Sequence, residues 1–256
     1  MHNYMQGVAM IVGGRAHSVH DVEFIAQAGF HIAEISILNA ASFASDLDHL
    51  KRIHDAYGIM YLAHGPEEGA ATDPDLLRRD YLPRIKAMLD GARELAIRLC
   101  TIHFWLDRRF IPHKHLPAKL ELLREMAGYA AERDIMLCIE NLSERFSDFA
   151  DALALLDTLG MTLDIGHGAL MTQCNTALDF TGNCFERIHH VHIHDNRGGN
   201  SAADDLHLPL GEGTIDFIPM LGALKQKGFD KTITIEVRPD HLITSSCKLR
   251  HMWESL

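Results

Sequence analysis

Eight short apolar runs, separated by longer stretches with apolar residues at helical spacing, constrain this chain more than any other feature. The runs are Gly7 to Val12, Ile32 to Leu38, Met60 to His64, Leu99 to Phe104, Met136 to Glu140, Met161 to Asp164, Ile188 to His194 and Thr232 to Glu236. Strands alternating with helices pack as a parallel sheet, and eight such units fit a closed (β/α)8 barrel better than an open sheet. With 256 residues, 47% of them hydrophobic, the chain can bury one such core, so a single domain over 1–256 is expected.

The intervening stretches carry helix signals. Ser18 to Asp21 reads as a variant capping box, Asp73-Pro74 as an N-cap with Pro at the first helical position, and Leu116-Pro117 as the start of a helix running to Arg133. In that last helix Leu120, Leu123, Met126 and Ala127 are expected to face the core, with Lys119, Glu121, Arg124 and Glu125 in solvent. A flexible link, Gly198-Gly199-Asn200-Ser201, follows the seventh run.

A net charge of -11 gives no basic footprint of the kind polyanion binders carry, although bound cations would offset part of it locally. The five cysteines, Cys100, Cys138, Cys174, Cys184 and Cys247, are odd in number without close pairing and read as reduced thiols. With no signal-peptide pattern and no apolar run of membrane-spanning length, a cytoplasmic location without membrane contact is expected.

In a parallel barrel the C-terminal strand ends share one face, where the active site lies. The polar residues at these ends are His64, His103, Glu140, Asp164 with His167, His192, Asp205 with His207, and Glu236. Parity supports them: Ile102 and Phe104 flank His103, Leu163 and Ile165 flank Asp164, and Ile235 and Val237 flank Glu236. Side chains alternate along a strand, so the apolar neighbours face the helices and the polar residue faces the axis. The seventh run, Ile188 to Asp195, puts His190, His192 and His194 on one face and Val191 and Ile193 on the other. Imidazole and carboxylate converging at a barrel mouth are ligands for zinc, manganese, iron or cobalt. The remaining histidines, His17 and His190 among them, have no ligand-like spacing and read as ordinary structural or surface residues.

Through Glu140-Asn141, Asp164-Ile165-Gly166-His167, His192 to Asn196 and Leu210 to Asp216, the sequence resembles the xylose isomerase-like TIM barrels. This superfamily includes sugar and sugar-phosphate isomerases and epimerases as well as endonuclease IV, of AP endonuclease family 2. For the isomerase and epimerase branch the resemblance implies one divalent metal held by Glu140, Asp164, His192 and Glu236. For the endonuclease it adds His64, His103, His167, Asp205 and His207, with three zinc ions in all. The ligand types are all present, but the endonuclease's Asp-Thr-Cys-His element reads Asp164-Ile-Gly-His167 here, and its His-x-Asn-Asp element reads His192-Ile-His194-Asp195. The loop after the third strand, Gly65-Pro66-Glu67-Glu68-Gly69, is acidic where a DNA-binding loop would be basic.

The resemblance thus implies a metal-dependent isomerase or epimerase of a small sugar or sugar phosphate, with a multi-zinc phosphoester hydrolase as the alternative. Glu140 and Glu236 would move a proton beside a metal-polarised carbonyl, and His167 would contact a substrate oxygen. His194, Arg238 and Glu34 are further candidates for substrate contact; Arg238 has Glu34 or Asp240 as alternative partners, and Glu34, which points the same way as Ser36, reads equally as a buried structural carboxylate. Backbone N–H groups near Gly198 or Gly213 would hold a phosphate. One to three metal ions per chain, with a small molecule rather than nucleic acid as partner, complete the expectation.

Overall fold

The computed structural model describes residues 10–256. Its strands are β1 (Ile11–Ala16), β2 (Ile32–Ser36), β3 (Met60–His64), β4 (Leu99–His103), β5 (Met136–Glu140), β6 (Leu159–Asp164), β7 (Ile188–Ile193) and β8 (Thr232–Ile235). All pair in parallel, each with its neighbour in sequence, and β8 returns to β1 to close the barrel. Seven strands lie where the apolar runs place them. The first does not: residues 7 to 9 fall outside the described residues, and the strand continues through Gly13, Gly14 and Arg15 to Ala16. Gly13 is needed there because a Cβ would come within 2.0 Å of the Ile32 carbonyl oxygen on β2.

Helices cover the outside, and their ends follow local chemistry. Ser18 caps α1 (Val19–Gln27) by accepting the Asp21 N–H at 3.2 Å, while Asp21 Oδ2 accepts the His17 N–H at 2.9 Å. After α2 (Ala40–Tyr57), Asp73 accepts the N–H groups of Asp75 and Leu76 at the start of α3 (Pro74–Leu76), which runs through a π-helical turn into α4 (Leu82–Glu94). In α5 (Leu116–Ala131) one expectation fails: Lys119 is fully buried, because its ammonium pairs with Glu68 and donates to the Ala71 carbonyl at 2.9 Å. Glu68 is therefore not half of an exposed acidic pair; only Glu67 of the two lines the cleft described below. Among the described residues no helix is long and apolar enough to cross a membrane.

The barrel interior is layered. Ile32, Leu62, Leu99 and Cys138 fill the end nearest the strand N-termini. Above them Thr101 and Thr162 bond each other at 2.8 Å, and the C-terminal half of the bore is polar and charged. The residues flanking these polar positions, such as Ile102, Ile139, Leu163, Val191, Ile193 and Ile235, are buried against the helices. The register of β6 against β7 slips once: Met161 pairs with Ile188, then Thr162 pairs with His190, which leaves His189 as an extra residue. That slip sets Asp164 directly beside His192.

Candidate metal centre

Glu140, at the end of β5, is the hub of the polar layer. Its Oε2 lies 3.1 Å from His64 Nε2 and 3.2 Å from His103 Nε2, and its Oε1 lies 3.1 Å from both His192 Nδ1 and His167 Nδ1. Burial alone would raise its pKa, yet the imidazoles, His192 foremost, hold it well below the ordinary carboxylate value. Burial drives His64 down to about 4, so that ring is neutral near pH 7, the form in which an imidazole binds a cation.

Glu236 follows β8, where its own N–H extends the ladder to the Ile193 carbonyl. Its Oε1 accepts from Arg15 Nη1 at 2.6 Å and lies 3.4 Å from His192 Nδ1. Burial opposes ionisation, but His192 and Arg15 hold this carboxyl at about 2. Asp164 is fixed through its peptide, since Asn141 Oδ1 accepts its N–H at 2.9 Å and Asn141 Nδ2 donates to its carbonyl at 2.8 Å. That clamp explains the Glu140-Asn141 pair in the sequence. Beside this group a second one forms around Asp205 Oδ2, which lies 3.1 Å from both His167 Nε2 and His207 Nε2. His194 stacks on His207, with ring centroids 4.0 Å apart.

These side chains fit a metal. Asp164 Oδ2, Asp205 Oδ1 and both His194 ring nitrogens are buried with no hydrogen-bond partner among the described residues, an arrangement that costs free energy unless something else satisfies them. Ligand atoms of Glu140, Asp164, His192 and Glu236 lie within 4.8 Å of one another, as do those of His64, His103 and Glu140, and those of His167, His194, Asp205 and His207. All nine expected ligand positions are thus brought into one place. A cleft of about 540 Å³ opens above them, with His64, His103, His167, Asp205, His207 and Glu236 in its wall.

A profile of the xylose isomerase-like TIM barrel family matches residues 22–252. The chain belongs to that family. It is 27% identical over 254 residues to an uncharacterized protein of Methanocaldococcus jannaschii, covering 90% of this chain and 82% of the relative. Among solved structures it is similar to a D-tagatose 3-epimerase-like protein, with a TM-score of 0.83 and 26% identity over 96% of this chain and 97% of the other. A Thermus thermophilus protein, solved after soaking with ZnCl2, shares the fold: its TM-score is 0.76 at 21% identity, over 96% and 99% of the two chains.

Several residues of this family member sit otherwise than expected. Glu34 and His194 are fully buried and do not line the cleft, so neither is placed to touch a substrate there. Arg238 lines the cleft, but its largely exposed side chain pairs with Asp240 at 3.5 Å rather than with Glu34. Of the expected catalytic groups Glu236 and His167 line the cleft, and Glu140 lies beneath it. The anticipated phosphate donors are occupied: Gly198 N–H bonds Asn196 Oδ1 at 2.8 Å, and the N–H groups of Gly211 and Gly213 bond Asp195 Oδ2 at 2.8 and 2.9 Å.

Arg15, His17, Ser36 and His190 were not expected at the site. Arg15 Nε donates to Ser36 Oγ at 2.8 Å, and Ser36 Oγ lies 2.9 Å from His17 Nδ1, all three on the cleft wall. His190 lies one layer below His192 on the face that strand parity gives it, and what parity does not show is its partners, Glu34, Thr232 and Thr234.

Proposed function

We propose that this chain is a divalent-metal-dependent isomerase or epimerase of a small sugar or sugar phosphate, acting by proton transfer beside a carbonyl. One juxtaposition carries the reading: the donors of Glu140, Asp164, His192 and Glu236 converge at the foot of a cleft whose 540 Å³ suits a sugar and not a duplex. The similarity to a D-tagatose 3-epimerase-like protein supports the same substrate class. Mixed carboxylate and imidazole donors suit manganese, zinc, iron or cobalt, and such a cation, when bound there, polarises a carbonyl and acidifies the adjacent C–H.

The chain's own groups divide the remaining work. Glu236, ionised near pH 7 and on the cleft wall, is the proton acceptor; Arg15 holds its Oε1, leaving Oε2 for the substrate side. His167 lies on the same wall. Burial opposes its charging, but Asp164, Asp205 and Glu140 raise its pKa well above the ordinary value; with Nε2 3.1 Å from Asp205 Oδ2 and Nδ1 3.1 Å from Glu140 Oε1, its part is to hold those two carboxylates in place beside the cleft. Glu236, once protonated, is the acid that returns the proton, and Glu140, ionised and buried beneath the floor, holds the imidazoles around the site.

A second reading, a multi-zinc phosphoester hydrolase, is favoured by the two flanking groups, His64 with His103 and Glu140, and His167 with Asp205 and His207. Clustered cations would stabilise both attacking and leaving oxygens of a phosphoester. The two readings separate in heavy water: a panel of ketoses and ketose phosphates incubated with metal-loaded protein should acquire deuterium beside the carbonyl, and Glu236→Gln should abolish the exchange. Incision of an abasic duplex at catalytic rates, with no exchange across the panel, would replace the first reading by the second.

A further inference from the structure

Glu34 is a fully buried acid outside the donor set, in mid-strand on β2 with its side chain directed into the bore. Leaving a carboxylate there costs several kcal/mol unless partners compensate it. Its Oε2 lies 2.8 Å from His192 Nε2 and 3.3 Å from His190 Nε2; its Oε1 has no hydrogen-bond partner among the described residues, with Arg15 Nη1 3.9 Å away. His190 is fixed in turn, its Nδ1 lying 2.6 Å from Thr232 Oγ1 and its Nε2 2.9 Å from Thr234 Oγ1. A polar ladder thus climbs from β8 through His190 and Glu34 to one edge of His192. The other edge of that ring, Nδ1, lies 3.1 Å from Glu140, 3.4 Å from Glu236 and 3.8 Å from Asp164.

We infer that Glu34 is the positioning carboxylate of the metal centre: it accepts the His192 Nε2–H and so keeps Nδ1 as the ring's ligand atom toward Glu140, Asp164 and Glu236. The inference rests on the four-residue group of the proposed function holding a cation, and not on which substrate follows. An imidazole offers a lone pair on one nitrogen only when the proton sits on the other. A carboxylate at Nε2 decides that choice and fixes the ring's rotation. Glu34 does this without touching the cleft, which is why it belongs to the site while remaining out of a substrate's reach. His190, itself held by Thr232 and Thr234, meets the same Oε2 from below and keeps the Glu34 carboxylate from turning away.

Glu34→Gln tests it, with zinc or manganese affinity measured by chelator competition on metal-stripped protein. Such outer partners of a ligating histidine are worth about 10- to 100-fold in metal affinity. The expected result is a loss of that size with stoichiometry and circular dichroism unchanged, and partial recovery in Glu34→Asp. In cobalt-loaded protein the visible absorption bands should shift, a change that a purely structural carboxylate would not produce. Should Glu34→Gln fail to fold, Glu34→Asp and His190→Gln, which each loosen one rung, carry the same affinity comparison with smaller expected losses. Wild-type affinity in the folded variants overturns the inference alone. Absence of metal binding by the wild-type protein overturns it together with the proposed function.

Discussion

The imidazole of His194 occupies the space that a side chain at Gly166 would need: a Cβ on Gly166 would lie 2.3 Å from both Cε1 and Nε2 of the ring. Gly166 has φ -67 and ψ -53, so its backbone makes no demand for glycine, and the constraint is one of volume alone. Gly166, where the endonuclease IV pattern has cysteine, and His194, where it has asparagine, are therefore sterically coupled positions. Gly166→Ala should destabilise the protein by about 1 to 3 kcal/mol through overpacking. Adding His194→Asn should recover most of that loss, as read by urea unfolding of both single variants and the double; strictly additive losses would mean that the two positions are independent.

Asp205 and His207 hold the second donor group to the loop after β7, and His207 adopts a left-handed backbone with φ +45, strained for a residue bearing a Cβ. Asp205→Ala with His207→Ala should lower the metal content of the purified protein by one ion per chain and leave the Glu140 group loaded. Elemental analysis decides this. A content that stays at one ion per chain in the double variant, with only substrate affinity altered, would restrict the chain to one cation.

Lys119 and Glu68 form a buried ion pair under the loop that carries Glu67 to the cleft, and Glu68 also accepts the Trp105 N–H at 2.7 Å. Burial raises the pKa of Glu68 and lowers that of Lys119, so each depends on the other to stay charged. Lys119→Met should cost about 3 to 5 kcal/mol, because it strands a buried carboxylate, whereas Lys119→Met with Glu68→Gln should cost far less. Equal losses in the single and double variants, measured by denaturant unfolding, would exclude this account.

The donor set also sets a pH profile for the metal-free protein. Glu236 sits at about 2 against an ordinary 4.5, so its contribution to stability is present above pH 4.5 and is lost as pH falls through about 2. His207 sits at about 9 against an ordinary 6.5: burial opposes charging, while Asp205 and Glu236 prevail, so its contribution is present below pH 6.5 and is lost as pH rises through about 9. Calorimetric Tm of stripped protein should therefore be highest between pH 4.5 and 6.5 and fall on the alkaline side. Saturating zinc should remove the alkaline fall, because ligating imidazoles must be deprotonated and metal affinity rises with pH. An alkaline fall that zinc leaves intact would exclude His207 as a donor.

Strand parity and the carboxylate and imidazole residues at strand ends were legible because both depend on nearest neighbours in sequence. The first strand was not. The apolar stretch Val8 to Val12 has the stronger strand composition, and Gly13-Gly14-Arg15 looks like a turn until the Ile32 carbonyl oxygen is seen pressing on Gly13. Losing that strand's true end hid Arg15, and with it the partner of Glu236. Lys119 was misplaced for another reason: its counter-ion lies 51 residues away, and helical periodicity carries no information about a tertiary partner. The glycines of Leu210 to Gly213 resemble an anion cradle in sequence, and only the fold shows Asp195 already filling it.

Arg15 and Glu236 stand on the two strands that meet last, each one residue beyond the paired Gly14 and Ile235. The direction of translation therefore imposes a timetable on the centre. A nascent chain that has exposed everything through β7 already carries Glu140, Asp164 and His192, but it has an open seam where β8 belongs and no fourth donor. At about 5 to 20 residues per second, the 44 positions from His192 to Glu236 take roughly 2 to 9 seconds to make. Assembly of the complete donor set consequently follows the closing of the seam.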